Sequence, residues 1–168
     1  MIQPTITAQN GRSFPAYAVA LQAIIINDNE EILMLYSHKR NQGWQIISGG
    51  LDAEETILDG TLREVGEEIG IEANVRPLGL VHSQTFQYDP GIPHMIGIYY
   101  LLAYESGAII PGDDMVGSDV RWWSLADLAA EKPFLHPSTL PWMLERAVDL
   151  YRLWKDEEER LLQPELKN

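Results

Sequence analysis

The 168-residue sequence predicts an α/β fold: a mixed β-sheet sandwiched between helices, an α/β/α sandwich finished by a C-terminal helix. Two observations carry this reading. β-rich runs flank one strongly amphipathic central segment, and a second amphipathic segment follows near the end of the chain. The length suits one domain with a real core, expected over residues 1–168 with its core at about 15–155.

Each element has its own signal. "YAVALQAIII" from Tyr17 is β-rich, "NDNEE" turns, and "ILMLYSH" from Ile32 resumes an extended run, as in a hairpin. After "NQG", "WQIIS" from Trp44 reads as a short strand that delivers the chain to Gly49 and Gly50. A helix should follow, with Leu58, Leu62, Val65 and Ile69 on one face and Glu64, Glu67 and Glu68 on the other, at about 100° per residue. Asp52 or Thr56 can cap its start and Gly70 can end it. "LGLVHSQTF" and "MIGIYYLLAYE" are two further strands around the loop "QYDPGIPH". "VRWWSL" from Val120 is another, with "ADLAAE" a helical turn behind it. The last helix takes its cap from Ser138 or Thr139, has Pro141 in its first turn, and buries a stripe of Leu144, Ala147, Val148, Tyr151 and Trp154.

Composition excludes several functions. Twelve basic against twenty-five acidic residues give a net charge of −13, which opposes attraction to nucleic acid or an anionic membrane. Without cysteine there is no disulfide, thiolate metal site or cysteine nucleophile. No apolar run approaches the ~20 residues of a membrane span, and the N-terminal stretch does not read as a targeting segment, so a cytoplasmic protein is expected. His82, His94 and His136 lack zinc-site spacing, and no serine sits in a nucleophile elbow.

The acidic helix face needs a chemical reason. A glutamate-rich helix surface is most often merely solvated. Here, however, Gly49, Glu55, Arg63, Glu64, Glu67, Glu68 and Gly70 satisfy G-x5-E-x7-R-E-U-x-E-E-x-G-U, with Val65 and Ile71 at the apolar positions U. At about 6% frequency per fixed residue, such a coincidence arises roughly once in 10⁸ to 10⁹ starting points. Carboxylates that converge in a partly buried site repel one another unless a cation is present, and hard oxygen donors suit Mg²⁺ or Mn²⁺. Gly60 lies one turn before Glu64, and its missing side chain would leave space beside the acidic cluster.

Residues 49–71 resemble the Nudix box, the signature of the Nudix hydrolases, with no position violated. The resemblance implies a hydrolase that uses Mg²⁺, with Mn²⁺ as a substitute, to cleave the phosphoanhydride of a nucleoside diphosphate joined to another group, water being the nucleophile. It implies Glu64 and Glu68 as chief metal ligands, Glu67 as a further ligand or base, and the Ser48 carbonyl in the same shell. Arg63 would orient Glu55 and its neighbours. Ser48 departs from the proline common before the paired glycines of such loops. An acidic residue from a later loop completes some members of the family. Asp113, Asp114 and Asp119 are candidates here, Asp114 preferred. Gly49, Gly50, Arg40, Tyr88 and Asp114 are therefore the expected substrate contacts. Trp44, Phe86, Trp122 and Trp123 are weaker candidates for stacking, and His38 for meeting phosphate. "SQTFQYDPG" shares only Ser83, Gln84 and Phe86 with the motif of NADH-cleaving members, and the acidic balance favours free nucleotides over capped RNA. A non-catalytic nucleotide-sensing domain is the alternative. Edge strands and the terminal helix predict a homodimer, since an isolated edge strand is an aggregation liability.

Overall fold

A computed structural model describes residues 4–156. A short hairpin comes first, β1 (Thr5–Thr7) against β2 (Ser13–Pro15), and forms its own two-stranded sheet. The main sheet holds β3 (Ala18–Ile26), β4 (Ile32–Tyr36), β5 (Trp44–Gln45), β6 (Ile47–Gly50), β7 (Asn74–Phe86), β8 (Met95–Ser106) and β9 (Asp119–Trp123). Its order is β5-β4-β3-β8-β7, with β6 pairing β3 and β9 pairing β4. The helices are α1 (Ile57–Ile69), α2 (Leu125–Glu131) and α3 (Pro141–Trp154), and a 3-10 turn spans Asp113–Met115.

β3 organises the molecule. It pairs in parallel with β8 along its whole length, from Ala18↔Met95 to Ile26↔Ala103. On its other side Ala20–Ala23 face β6, whereas Ile26 faces Ile32 of β4. Alternation along β3 feeds two cores. Ile24 and Ile26 join Leu101, Trp123 and the α3 residues Met143, Leu144, Ala147, Val148 and Tyr151. Ala23 and Ile25 join Leu102, Met115 and the α1 residues Val65 and Ile69. Each fully buried aliphatic side chain of this size contributes roughly 1.5–3 kcal/mol, so both helices are held by their apolar stripes rather than by propensity.

The structure corrects the expectations in four places. Leu62 is 36% exposed, because the sheet contacts of α1 are made by Val65 and Ile69, and Leu62 lies beyond the edge of that stripe. The single strand expected at "WQIIS" is two, β5 on β4 and β6 on β3, because the chain changes partner at Ile46. α3 has neither Ser138 nor Thr139 as its cap; Leu140 holds that position without a side-chain bond. Ser138 Oγ is instead 2.7 Å from His136 Nδ1, and Thr139 is buried. The β1–β2 hairpin was not anticipated. The acidic run after α3, residues 157–160, lies outside the described residues. Among the described residues no helix is long and apolar enough to cross a membrane.

α1 starts at Thr56, whose Oγ1 accepts the Asp59 N–H at 3.1 Å. Gly70 ends it at φ 91°, a left-handed setting that glycine adopts without strain. Loss of the cap in Thr56→Ala is expected to lower unfolding stability by about 1 kcal/mol, readable as a shifted urea midpoint with an unchanged slope.

Candidate active site

Arg63, on α1, reaches back over the loop that leads into the helix. Its Nη2 donates to the Gly50 carbonyl at 2.7 Å and to Glu55 Oε1 at 2.8 Å, and its Nε donates to Glu55 Oε2 at 3.1 Å. Nη1 donates to Glu64 Oε1 at 2.7 Å and to Glu67 Oε2 at 3.0 Å. Glu55 also accepts the Asp52 N–H at 2.7 Å. The Arg63 bonds and that N–H hold the Glu55 carboxyl below its ordinary pKa, and the same carboxylates raise that of Arg63.

Two glycines make room for these carboxylates. A Cβ on Gly49 would coincide with the Glu64 carboxylate, and one on Gly60 would lie 2.5 Å from Glu55 Oε1 and 2.6 Å from Leu21 Cδ1. The space expected beside the acidic cluster at Gly60 is therefore filled by Glu55.

Glu68 differs from its neighbours in being 4% exposed. Burial, reinforced by the charges of Glu64 and Glu67, pushes its pKa up to about 8 against the opposing pull of the Ser48 N–H and Arg40. The Ser48 N–H approaches Glu68 Oε2 only at 3.4 Å. Arg63 thus engages one oxygen each of Glu64 and Glu67, and the second oxygens of Glu64, Glu67 and Glu68 accept no hydrogen bond among the described residues. Both Glu55 oxygens are occupied by donors. This donor set fits a hard divalent cation, with Glu64, Glu67 and Glu68 as oxygen donors and Glu55 and Arg63 as the frame that holds them. Among the described residues, no three acidic or histidine side chains are already gathered as a ligand cage.

These groups form one wall of a cleft of about 1200 Å³. Ser48, Gly49, Gly50, Glu64, Glu67 and Glu68 line it, and so do Arg40, Tyr88 and Asp113. Tyr88 stands at the rim, 65% exposed. The Asp114 side chain lies outside the described residues; its neighbour Asp113 reaches the cleft from the 3-10 turn, at φ 42°. Other candidates lie elsewhere. Asp119 pairs with His38 at 3.0 Å, both well exposed. Trp44 and Trp123 pack edge to face in one core, and Trp122 packs on Tyr104 at the other. Phe86 alone of the weaker stacking candidates lines the cleft.

Much of the cleft's polar lining was missed by sequence reasoning. Gln22, Gln45, Gln84, Tyr99 and His136 all line the cleft. His136 is brought there because its N–H donates to the Trp44 carbonyl while Trp44 donates to the Phe134 carbonyl, and burial and Arg40 hold its imidazole below the usual pKa. Polar residues on strands whose inward neighbours are Ile24 and Leu101 were the available signal.

The NUDIX domain family profile matches residues 16–143, which contain the whole glutamate frame. The chain belongs to the NUDIX family. A protein named NAD-capped RNA hydrolase NudC from Vibrio parahaemolyticus is 32% identical over 123 residues, covering 73% of this chain and 43% of that protein. An ADP-ribose pyrophosphatase from Methanocaldococcus jannaschii is 28% identical over 143 residues, covering 83% and 75%. The chain thus spans less than half the length of the NudC relatives it matches. Among solved structures, an ADP-ribose pyrophosphatase from Streptococcus suis superposes with a TM-score of 0.65 at 20% identity, covering 82% of this chain and 93% of that one. The mixed sheet and C-terminal helix are those of this NUDIX fold.

The raised pKa of Glu68 makes a signed prediction. A carboxyl whose folded pKa lies above its unfolded one stabilises the fold fully below about 4.5 and loses that contribution as pH rises through about 8. In metal-free protein, the melting temperature of Glu68→Gln relative to wild type is expected to climb between pH 5 and pH 9. Differential scanning fluorimetry showing a constant difference would refute it.

Proposed function

We propose that this NUDIX protein is a divalent-metal-dependent pyrophosphohydrolase that cleaves the phosphoanhydride of a nucleoside diphosphate linked to a second group. The observation that carries this reading is the carboxylate cluster: Arg63 takes one oxygen each of Glu64 and Glu67, the Ser48 N–H one of Glu68, and the second oxygens face the cleft. ADP-ribose and an NAD cap, named for the relatives, both contain such a linkage. With a net charge of −13 the protein suits a free nucleotide better than capped RNA, whose phosphates would add repulsion along a longer surface.

Glu64, Glu67 and Glu68 would hold Mg²⁺, or Mn²⁺ in its place, with the Ser48 carbonyl completing the set. When bound, the metal offsets the charge of the bridging phosphates and acts as a Lewis acid towards the reaction. Arg63 keeps Glu64 and Glu67 oriented and neutralises part of their repulsion before any cation arrives. Gly49 and Gly50 let the substrate's phosphates approach the backbone, and Arg40, which lines the same cleft, would offer them a cation. A carboxylate of the cluster, Glu67 being the most exposed at 40% of its side chain, accepts the proton of the attacking water. Asp113 or Asp114 would supply a further carboxylate from the later loop, and Tyr88 would contact the group beyond the phosphates.

Incubation with ADP-ribose, NADH, dNTPs, nucleotide sugars and dinucleoside polyphosphates is expected to release a nucleoside monophosphate or phosphate from at least one of them, only with Mg²⁺ or Mn²⁺. If all stayed intact while one bound tightly, the protein would be a nucleotide sensor.

Glu64→Gln, Glu67→Gln and Glu68→Gln should fold and lose turnover by roughly 10² or more, whereas Glu145→Gln on α3 should not. Saturating Mg²⁺ should raise the melting temperature of wild type, and by less in each of the three cluster variants. Near-native turnover of Glu68→Gln with an unchanged Mg²⁺ response would defeat the ligand assignment.

A further inference from the structure

The cleft lining holds a polar feature that hydrolysis does not use. Gln22 is 4% exposed, and its Oε1 is buried with no hydrogen-bond partner among the described residues. On β3 it follows the inward register of Ile24 and Ile26, where an apolar side chain would serve packing alone. It sits opposite Ser48 on one side and Tyr99 on the other, one strand away from the glycine loop. Gln84 Nε2 donates to the Tyr99 hydroxyl at 3.1 Å, and the Gln22 amide lies beside that same hydroxyl. With the Gln84 N–H supplied to its oxygen, the Tyr99 hydroxyl keeps its own proton to donate. From register-paired positions of neighbouring strands, Tyr99 thus offers a donor and Gln22 Oε1 an unpaired acceptor, and both residues line the cleft. Phe86 also lines the cleft, its ring seated over Gly97, where a Cβ would come within 3.2 Å.

We infer that Gln22, Tyr99 and Gln84 form a base-reading subsite for an amino-substituted nucleobase. The complementary edge is a ring nitrogen acceptor beside an exocyclic amino donor, with the ring lying against Phe86. Adenine and cytosine carry that edge, whereas hypoxanthine and uracil carry the reverse, a ring N–H beside a carbonyl. The amino group meets Gln22 Oε1 and the ring nitrogen meets the Tyr99 proton. The inference rests on the proposed nucleotide hydrolase for its ligand class, and it names the part of the nucleotide that the protein selects.

Calorimetric titration of wild-type protein with AMP, CMP, IMP and UMP in Mg²⁺ tests this without turnover. AMP is expected to bind about tenfold more tightly than IMP, or CMP than UMP, and the pair that shows the difference identifies purine or pyrimidine. Gln22→Met and Tyr99→Phe should each remove the preference by weakening the amino base, leaving its oxo partner within about twofold. Tyr99→Phe keeps the ring in the core, so it decides the matter if Gln22→Met fails to fold.

Equal binding of amino and oxo bases, tighter binding of the oxo base, equal weakening of all four by the variants, or no binding at all would overturn the subsite. Hydrolysis of ADP-ribose and its inosine analogue, run in parallel, separates the two readings. Turnover of both at equal kcat/KM sinks base reading and keeps the hydrolase. Loss of all hydrolysis with retained AMP preference sinks the hydrolase and keeps the subsite.

Discussion

The Arg63 guanidinium is the constraint on which the rest of the site depends. It ties the helix that carries Glu64 and Glu67 to the Gly50 carbonyl and to Glu55, so helix and loop cannot be placed independently. Three acidic side chains, one on the loop before α1 and two on the helix itself, would otherwise repel one another. A planar cation with five donors satisfies them together with a backbone carbonyl, which a lysine's point charge would not reproduce. The arrangement leaves outward-facing oxygens where a second, divalent cation can share the charge.

Burial divides the labour among the carboxylates. Glu55 is saturated with donors and sits below its ordinary pKa, whereas Glu68 is buried with one long contact and sits well above it. The same residue type thus serves as scaffold in one position and as an unpaid electrostatic debt in the other. The core between α1 and the sheet makes that tension tolerable, since α1 is anchored through Val65 and Ile69 and by backbone bonds from Ile110 to Ile69 and from Gly112 to Glu68.

The carboxylate wall was legible in the sequence because its residues lie within 23 positions, held by one helix and one loop whose spacing is local. The strands around it were legible from their β-branched runs, as was the buried stripe of α3. The rest of the cleft lining was not, because Gln22, Gln84, Tyr99 and His136 meet through the antiparallel pairing of β7 with β8, the docking of residues 134–136 on Trp44 and, above all, the parallel pairing of β3 with β8. Nothing local marks that pairing. Leu62 failed for a related reason, since the width of a buried face is set by tertiary neighbours, whereas the α3 cap failed to a local competitor: Ser138 pairs with His136, two residues away.

The overlap between the Glu64 carboxylate and the volume that a side chain at Gly49 would occupy has an evolutionary consequence. Positions 49 and 64 share one volume of space, so they act as a single unit of inheritance. Any larger residue on the loop must evict the helix carboxylate, and a shorter residue on the helix opens a gap that the glycine cannot close. Around Phe86 the constraint is looser, since a Cβ on Gly97 would meet the ring at 3.2 Å rather than overlap it, so drift in ligand preference has a path there that leaves the carboxylate chemistry intact.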